Sequence, residues 1–531
     1  MKLRDITLPQ ILHETTQKFP DCHAIEYEDK FYTWNDLDTL SDAFANYFAH
    51  CGIQKGDHVG IWGANSLNWV LSFFALNKLG ATAVLINSNI TIHELRDVIA
   101  ISKITWMMCG YCPHINGGND LINYIKRTCP QLQDNLIDIE NEANPNSILE
   151  TYGSPSEARA DAGVCSEDIC CMIFTSGSTR KPKCAMLTHY SLANNAASMA
   201  EAMDVTEKDA FCMSLPLFHM YGLVGCFLAC VHRGATVHLI KALHSLDIME
   251  CIHKHRCTVL NGVPTSYLAL INNENFSKYD LSSIRLSVFG GAPLTAPHLR
   301  RIQDAFPQTQ FMSNFGQTES TCLTNTMYGD SFDMIATTVG PPLEHIEMAI
   351  MDPETRELLP PNTQGEIVVR GYCMMRRYFN PDPEVANPFD EDGWLHTQDL
   401  GMLLDNGYLR IVGRIKDIII RAGEDITPSE LERVIMEYDQ ISDARVLGAP
   451  HDILGEYVIA CIVLKQQNTY KESELRDLFR RKLARFKHPA EILVFDEFPT
   501  TASGKISPRR LREEMMARLS ELDPDGSSEE E

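Results

Sequence analysis

The chain has 531 residues, 44% of them hydrophobic and 22% charged, with a formal net charge of -25 at pH 7. That length allows large buried cores and more than one domain, in a composition ordinary for a soluble globular protein. The acidic balance argues against nonspecific binding to nucleic acid or anionic membrane, so any nucleotide must be held by a local positive site.

In chain order, MKLRDITLPQILHETTQKFP scatters charges through the first residues and holds no apolar core of signal-peptide length. No stretch reaches the roughly 18 uninterrupted apolar residues that a membrane span needs. Thr33 and Asp36 have capping-box spacing, and Leu37, Leu40, Phe44, Tyr47 and Phe48 follow at helical spacing. After the break from Gly52 to Gly56, the pattern predicts a strand at 58–62, an apolar helix near 67–79 ending at Gly80, and a strand at 82–87. This alternation predicts layered α/β structure with parallel strands. Residues 113–165 are polar, rich in Asn and Pro, and read as connecting structure.

The 17 cysteines are irregularly spaced, as expected for free thiols in a reducing cytoplasm. Cys109 and Cys112 copy the spacing of a thioredoxin-type redox pair, with no second pair to complete a zinc site.

Residues 172–188, MIFTSGSTRKPKCAMLT, organise the rest. The apolar run Ile169–Phe174 predicts a buried strand, and it empties into Thr175, Ser176, Gly177, Ser178 and Thr179. Such small residues let backbone N–H groups approach an anion closely, and hydroxyls add donors. Arg180 and Lys181 add charge, Pro182 stiffens the exit, and Lys183 arrives as a mobile cation. A Walker loop would need glycine before a Lys-Ser/Thr pair; here Pro182 precedes Lys183 and Cys184 follows it. Taken alone, the run reads more readily as a plain surface turn.

Further motifs follow in order: SLPLFHMYG at 214–222, GGAPL at 290–294, NFGQTE at 314–319, GWLHTQDLG at 393–401, GRIKD at 413–417, RAGEDITPSELE at 421–432 and PTTASGKISPRRL at 499–511. With TSGSTRKPK, this series resembles the adenylate-forming superfamily of acyl- and aryl-CoA synthetases, luciferases and peptide-synthetase adenylation domains, from about residue 8 to about 515. AMLTHYSLANN and CTVLNGVPTSY resemble medium-chain fatty-acyl-CoA ligases.

The resemblance implies a large domain of layered α/β subdomains over 1–413, a hinge at 414–417, a small mobile α+β domain over 418–515 and an acidic, unstructured tail at 516–531. It implies that ATP lies on the loop from Thr175 to Lys183, on Gly291, Ala292 and Pro293, and on Asn314, Phe315, Gly316, Gln317 and Thr318. Phe315 would stack on adenine. Glu319, with Thr179, would hold Mg2+. Asp399 would accept the ribose hydroxyls, and Arg414 would hold ribose and phosphate. Lys505 would activate the acid, Lys416 would be the hinge, and His219 and Gly290 would face the acyl substrate. Gly423 would let a pantetheine arm pass close to backbone.

Three positions depart from the usual pattern, Arg180, Cys184 and Gln398, each replacing a glycine. Phe218, His219 and Met220 stand where amino-acid-activating relatives place an aspartate, which argues against a free α-amino acid. The expected activity is acyl-adenylate formation followed by transfer to CoA, on a medium- or long-chain fatty acid. An aryl acid, an acyl carrier protein as thiol donor, and a non-turnover nucleotide binder remain open alternatives.

Overall fold

The computed structural model describes residues 1–112, 118–141, 143–153, 163–175, 182–241, 244–292, 294–379, 387–421, 424–451, 454–465, 470–501 and 504–522. The chain divides into two compact units. The larger comprises Met1–Leu294, Arg300–Glu347 and Arg370–Leu395, and the smaller Thr295–Leu299, Met348–Val369 and His396–Glu531.

The larger unit is built on two sheets. The first has seven strands in the order Arg377–Phe379, Lys183–Thr188, Ile169–Thr175, Thr82–Ile86, His58–Trp62, Trp106–Cys109 and Leu136–Asp138. From Ile169–Thr175 onward every pairing is parallel, and the first three strands pair antiparallel. All five residues of Thr82–Ile86 are buried, as a parallel strand covered on both faces requires. The second sheet runs Lys30–Thr33, His23–Tyr27, Thr236–Leu239, Ala210–Met213. Bridges through Val259 continue it to Leu286–Phe289, Gln310–Gln317 and Thr321–Asn325.

Local chemistry sets these elements. The Thr33 hydroxyl and the Asp36 carboxylate close a reciprocal cap that starts the helix Trp34–Cys51. The Ser66 side chain caps Leu67–Leu79, and Gly80 ends that helix in the left-handed region at φ 74. Nearly every residue of Leu67–Leu79 is buried, so it is apolar all round rather than striped. Its one cation, Lys78, donates to Asp38 Oδ1 at 2.6 Å, to Ser41 Oγ at 2.7 Å and to Asp42. Burial pulls that ammonium down to about 8 against the pull of Asp38.

The smaller unit carries a four-stranded sheet, Ile346–Met351, Gly365–Gly371, Leu395–Leu403 and Leu409–Arg414, and a five-stranded one. In the latter, Gly455–Leu464 is flanked by Ile441–His451, Ile419–Arg421 and Glu491–Phe495. One apolar cluster, around Leu431, Ile435 and Phe479, collects the helices Pro428–Ile435 and Glu472–Lys482. Another, around Cys461, Phe495 and Met515, collects the helix Pro508–Leu522.

Two expectations need correction. The segment 113–165 is more than connecting structure: it supplies the edge strand Leu136–Asp138 and the helices Gly118–Thr128 and Pro145–Tyr152. The acidic end expected to be unstructured from 516 is helical as far as Leu522, because Leu511 and Met515 are buried and anchor the helix; 523–531 lie outside the described residues. Among the described residues no helix is long and apolar enough to cross a membrane.

Candidate active site

Ligands of open α/β sheets lie beyond the carboxyl ends of the strands. Three strands of the larger unit end at predicted site motifs: Ile169–Thr175 at the phosphate loop, Leu286–Phe289 at Gly290, and Gln310–Gln317 at Thr318 and Glu319.

Thr175 and Lys183 are register partners across an antiparallel pair, so the two ends of the phosphate loop are held opposite each other. Ser176, Gly177, Ser178, Thr179, Arg180 and Lys181 lie outside the described residues. Thr175 Oγ1 is buried and has no hydrogen-bond partner among the described residues. A buried hydroxyl without a partner costs about 1–3 kcal/mol, so it is a position where a ligand group would be stabilising.

The Lys183 ammonium lies 5.3 Å from the centre of the Tyr378 ring. The Tyr378 hydroxyl donates to Glu319 Oε1 at 2.7 Å. Burial, then the Glu319 charge, pushes the Tyr378 phenol well above its ordinary value, so it remains a donor. The strand Arg377–Phe379 places this tyrosine by pairing with Lys183–Thr188, and Met375 N–H donates to the Glu319 carbonyl at 2.7 Å. Lys183 and Glu319, far apart in sequence, are thus joined through a residue that the motifs did not identify. Its only sequence signal is an aromatic in a short basic stretch, MMRRYFN.

Cys184 does not face the loop. Consecutive strand residues point to opposite faces, and Cys184 is buried in an apolar cluster with Trp62, Val84 and Met172. Burial pushes its thiol up to about 12. Of the three departures, this one is a core substitution.

Gly290, Asn314 and Tyr221 converge. A Cβ on Gly290 would stand 2.2 Å from Asn314 Oδ1 and 2.9 Å from the Tyr221 ring. The Tyr221 hydroxyl donates to the Val288 carbonyl at 2.7 Å. Asn314 is buried, and its Nδ2 has no partner among the described residues. Tyr221 opens a π-helical stretch, Tyr221–Leu228, a form that recurs at functional sites. The turn before it is fixed by Asn65, whose Nδ2 donates to the Leu215 carbonyl at 3.0 Å and whose Oδ1 accepts from Leu217 N–H at 2.9 Å. On that turn Phe218 and Met220 are buried and His219 is half-buried, its ring 4.7 Å from Phe218. Gly291 has φ 73, Ala292 is half-buried, and Pro293 lies outside the described residues.

Phe315, Gln317 and Thr318 are half-buried and Gly316 is exposed. Gly316 is obligatory for packing, since a Cβ there would meet the Thr321 carbonyl oxygen at 2.0 Å.

In the smaller unit, Asp399 and Arg414 are register partners on neighbouring strands, and Arg414 Nε donates to Asp399 Oδ1 at 2.9 Å. Asp399 is buried, whereas the Arg414 side chain is 52% exposed and can reach outward. Gln398 adopts φ 61 and is exposed, so the glycine usual there is explained by backbone conformation. Its N–H donates to Glu366 Oε1 at 3.1 Å. Lys416 is exposed on the single turn Ile415–Asp417. Gly423 lies outside the described residues.

Lys505 is half-buried and follows Gly504, which has φ 76. Its carbonyl accepts from Thr501 N–H at 2.6 Å. Burial, then the nearby Arg414 charge, lowers the Lys505 ammonium to about 8. Arg414 is thus paired with Asp399 and also felt by Lys505.

The thioredoxin-like pair has the opposite character to a redox site. Cys109 and Cys112 are buried and unbridged, and burial pushes Cys112 up to about 12 and Cys109 higher still.

Comparison with known proteins identifies the family. Residues 12–379 match the model of the AMP-binding enzyme family, and 430–505 match the AMP-binding enzyme C-terminal domain. YngI of Bacillus subtilis is 33% identical over 533 residues, covering 96% of each chain. The mitochondrial medium-chain acyl-CoA ligase ACSF2 of Mus musculus is 30% identical, covering 97% of this chain and 89% of that protein. The crystal structure of ATP-bound MatB from Rhodopseudomonas palustris superposes with a TM-score of 0.86 at 26% identity, covering 96% of this chain and 99% of that one. The chain belongs to the AMP-binding enzyme family, among its adenylate-forming acyl-CoA synthetases.

Proposed function

We propose that this enzyme activates a medium- or long-chain fatty acid and transfers it to CoA. The observation that carries the substrate class is the turn at 218–220. Phe218, His219 and Met220 offer no carboxylate to an ammonium group, and two of the three are buried apolar side chains. The medium-chain activity named for ACSF2 supports the same reading.

In the first step a carboxylate oxygen attacks the α-phosphorus of ATP, a P–O bond forms, and the bond to pyrophosphate breaks. Charge grows on the phosphate oxygens as two anions meet. Lys505 is the residue assigned to stabilise that charge, and electrostatic groups of this kind are worth about 3–4 kcal/mol. Lys183 neutralises the polyphosphate, Asp399 and Arg414 hold the ribose, and Phe315 stacks on the adenine. In the second step the thiol sulfur attacks the acyl carbon and AMP leaves. Movement about Lys416 exchanges Lys505 for the loop at Gly423, along which the pantetheine arm passes.

Glu319 suits Mg2+, because it is a half-buried hard-oxygen ligand whose other contact is a neutral phenol donor. When bound with ATP, Mg2+ offsets phosphate charge. The acidic chain and its unbridged thiols support a reducing cytoplasmic setting.

The test is acid-dependent pyrophosphate release from ATP across fatty, aryl and amino acids, with and without CoA. Release with medium- or long-chain acids that rises on adding CoA is expected. Release confined to aryl acids, or indifferent to CoA but stimulated by an acyl carrier protein, would replace the substrate or the thiol in this reading. Binding of ATP with no release for any acid would replace catalysis by binding alone.

A further inference from the structure

Three side chains outside the active-site motifs meet within the larger unit. Glu26 on the strand His23–Tyr27 and His238 on Thr236–Leu239 are register partners of a parallel pair. His255 is the last residue of the helix Ser245–His255. Glu26 Oε2 lies 3.3 Å from His238 Nδ1 and 3.6 Å from His255 Nε2, and all three ligand atoms are within 4.8 Å of one another. Glu26 and His238 are buried, and the His255 side chain is 12% exposed.

We propose that Glu26, His238 and His255 bind a Zn2+ ion, with water in the fourth position, that pins the end of this helix to the sheet. Bonds of about 2.0–2.2 Å at tetrahedral angles place ligand atoms about 3.3–3.6 Å apart. The two separations from Glu26 fall in that range. The His238 separation also admits a hydrogen bond, whereas 3.6 Å from His255 is beyond one.

The surroundings are those of a ligand set. Asp29 N–H donates to the other Glu26 oxygen, Oε1, at 2.8 Å, which orients the carboxylate. The two imidazoles are stacked at 4.4 Å, and the Phe31 ring stands edge-on to both, at 6.3 and 6.0 Å. Two nitrogen donors beside one carboxylate select zinc over magnesium or calcium.

The experiment uses untagged full-length protein stripped with chelator and titrated with Co2+, then Zn2+. One Co2+ per chain is expected, with the visible absorption of a four-coordinate ion, and Zn2+ should displace it. His255→Gln and Glu26→Gln, each checked for an unchanged far-UV spectrum, should weaken binding by about 100-fold. No saturable binding of either metal to the wild-type chain would leave only a hydrogen-bonded Glu-His cluster and overturn the proposal. Undiminished affinity in His255→Gln would place the metal elsewhere and overturn it equally.

Discussion

Gly290→Ala tests whether the convergence of Gly290, Asn314 and Tyr221 is part of the catalytic machinery. The added methyl would stand 2.2 Å from Asn314 Oδ1 and 2.9 Å from the Tyr221 ring, where ordinary contact begins at 3.4 Å. Tyr221 is anchored by its hydrogen bond to Val288, so the Asn314 carboxamide must rotate. Asn314 is buried, and its unpartnered Nδ2 then moves as well. Overpacking of this kind costs about 1–3 kcal/mol. Expressed in the transition state, that range is a loss of about 5- to 150-fold. Acid-dependent ATP–pyrophosphate exchange measures it, with thermal unfolding followed in parallel. Exchange within about twofold of wild type, in a variant with an unchanged melting profile, would show that Asn314 neither touches nor positions a ligand.

The remaining predictions concern the smaller unit. Because Lys505 is lowered to about 8, its positive charge is present below that pH and lost above it. The kcat/KM of adenylation should therefore fall on the alkaline side with an apparent pKa near 8, and a profile flat to pH 10 would contradict the assignment. Lys505→Ala should abolish adenylation yet retain thioester formation from supplied acyl-adenylate; equal loss of both steps, measured separately, would refute the division of labour. Gln398→Gly should raise the urea midpoint without changing the slope, by about 1 kcal/mol, because it relieves a left-handed residue. A falling midpoint would mean that Gln398 makes contacts outweighing its backbone strain.

Much of the larger unit was legible because its boundaries carry local chemistry. The Thr33–Asp36 cap, the Gly80 stop and the apolar strands at 58–62, 82–86 and 169–175 each leave a short-range signal. The strand Leu136–Asp138 left none: three residues are too few for a period, and its place is set by pairing with Trp106–Cys109. The core position of Cys184 was not legible for a related reason. A motif reads residues in line, whereas a strand sends Lys183 and Cys184 to opposite faces. Tyr378 was missed because its role exists only after its strand has joined Lys183–Thr188. The Glu26–His238–His255 cluster was invisible likewise, since two of its members become neighbours through parallel pairing.

The surroundings of the motif lysines differ from those of other cations, in each unit taken by itself. In a chain of net charge -25, Lys78 has Asp38 and Asp42 close by, and Arg285 has Asp209. Among the described residues Lys183 instead lies against an aromatic ring. Arg414 has Asp399, yet its charge still acts on Lys505 and lowers it. Holding Lys505 beside a like charge is unfavourable in the empty protein, and an incoming phosphate would turn that repulsion into attraction. The same lysines placed at random on the surface would be solvated and would offer no such gain.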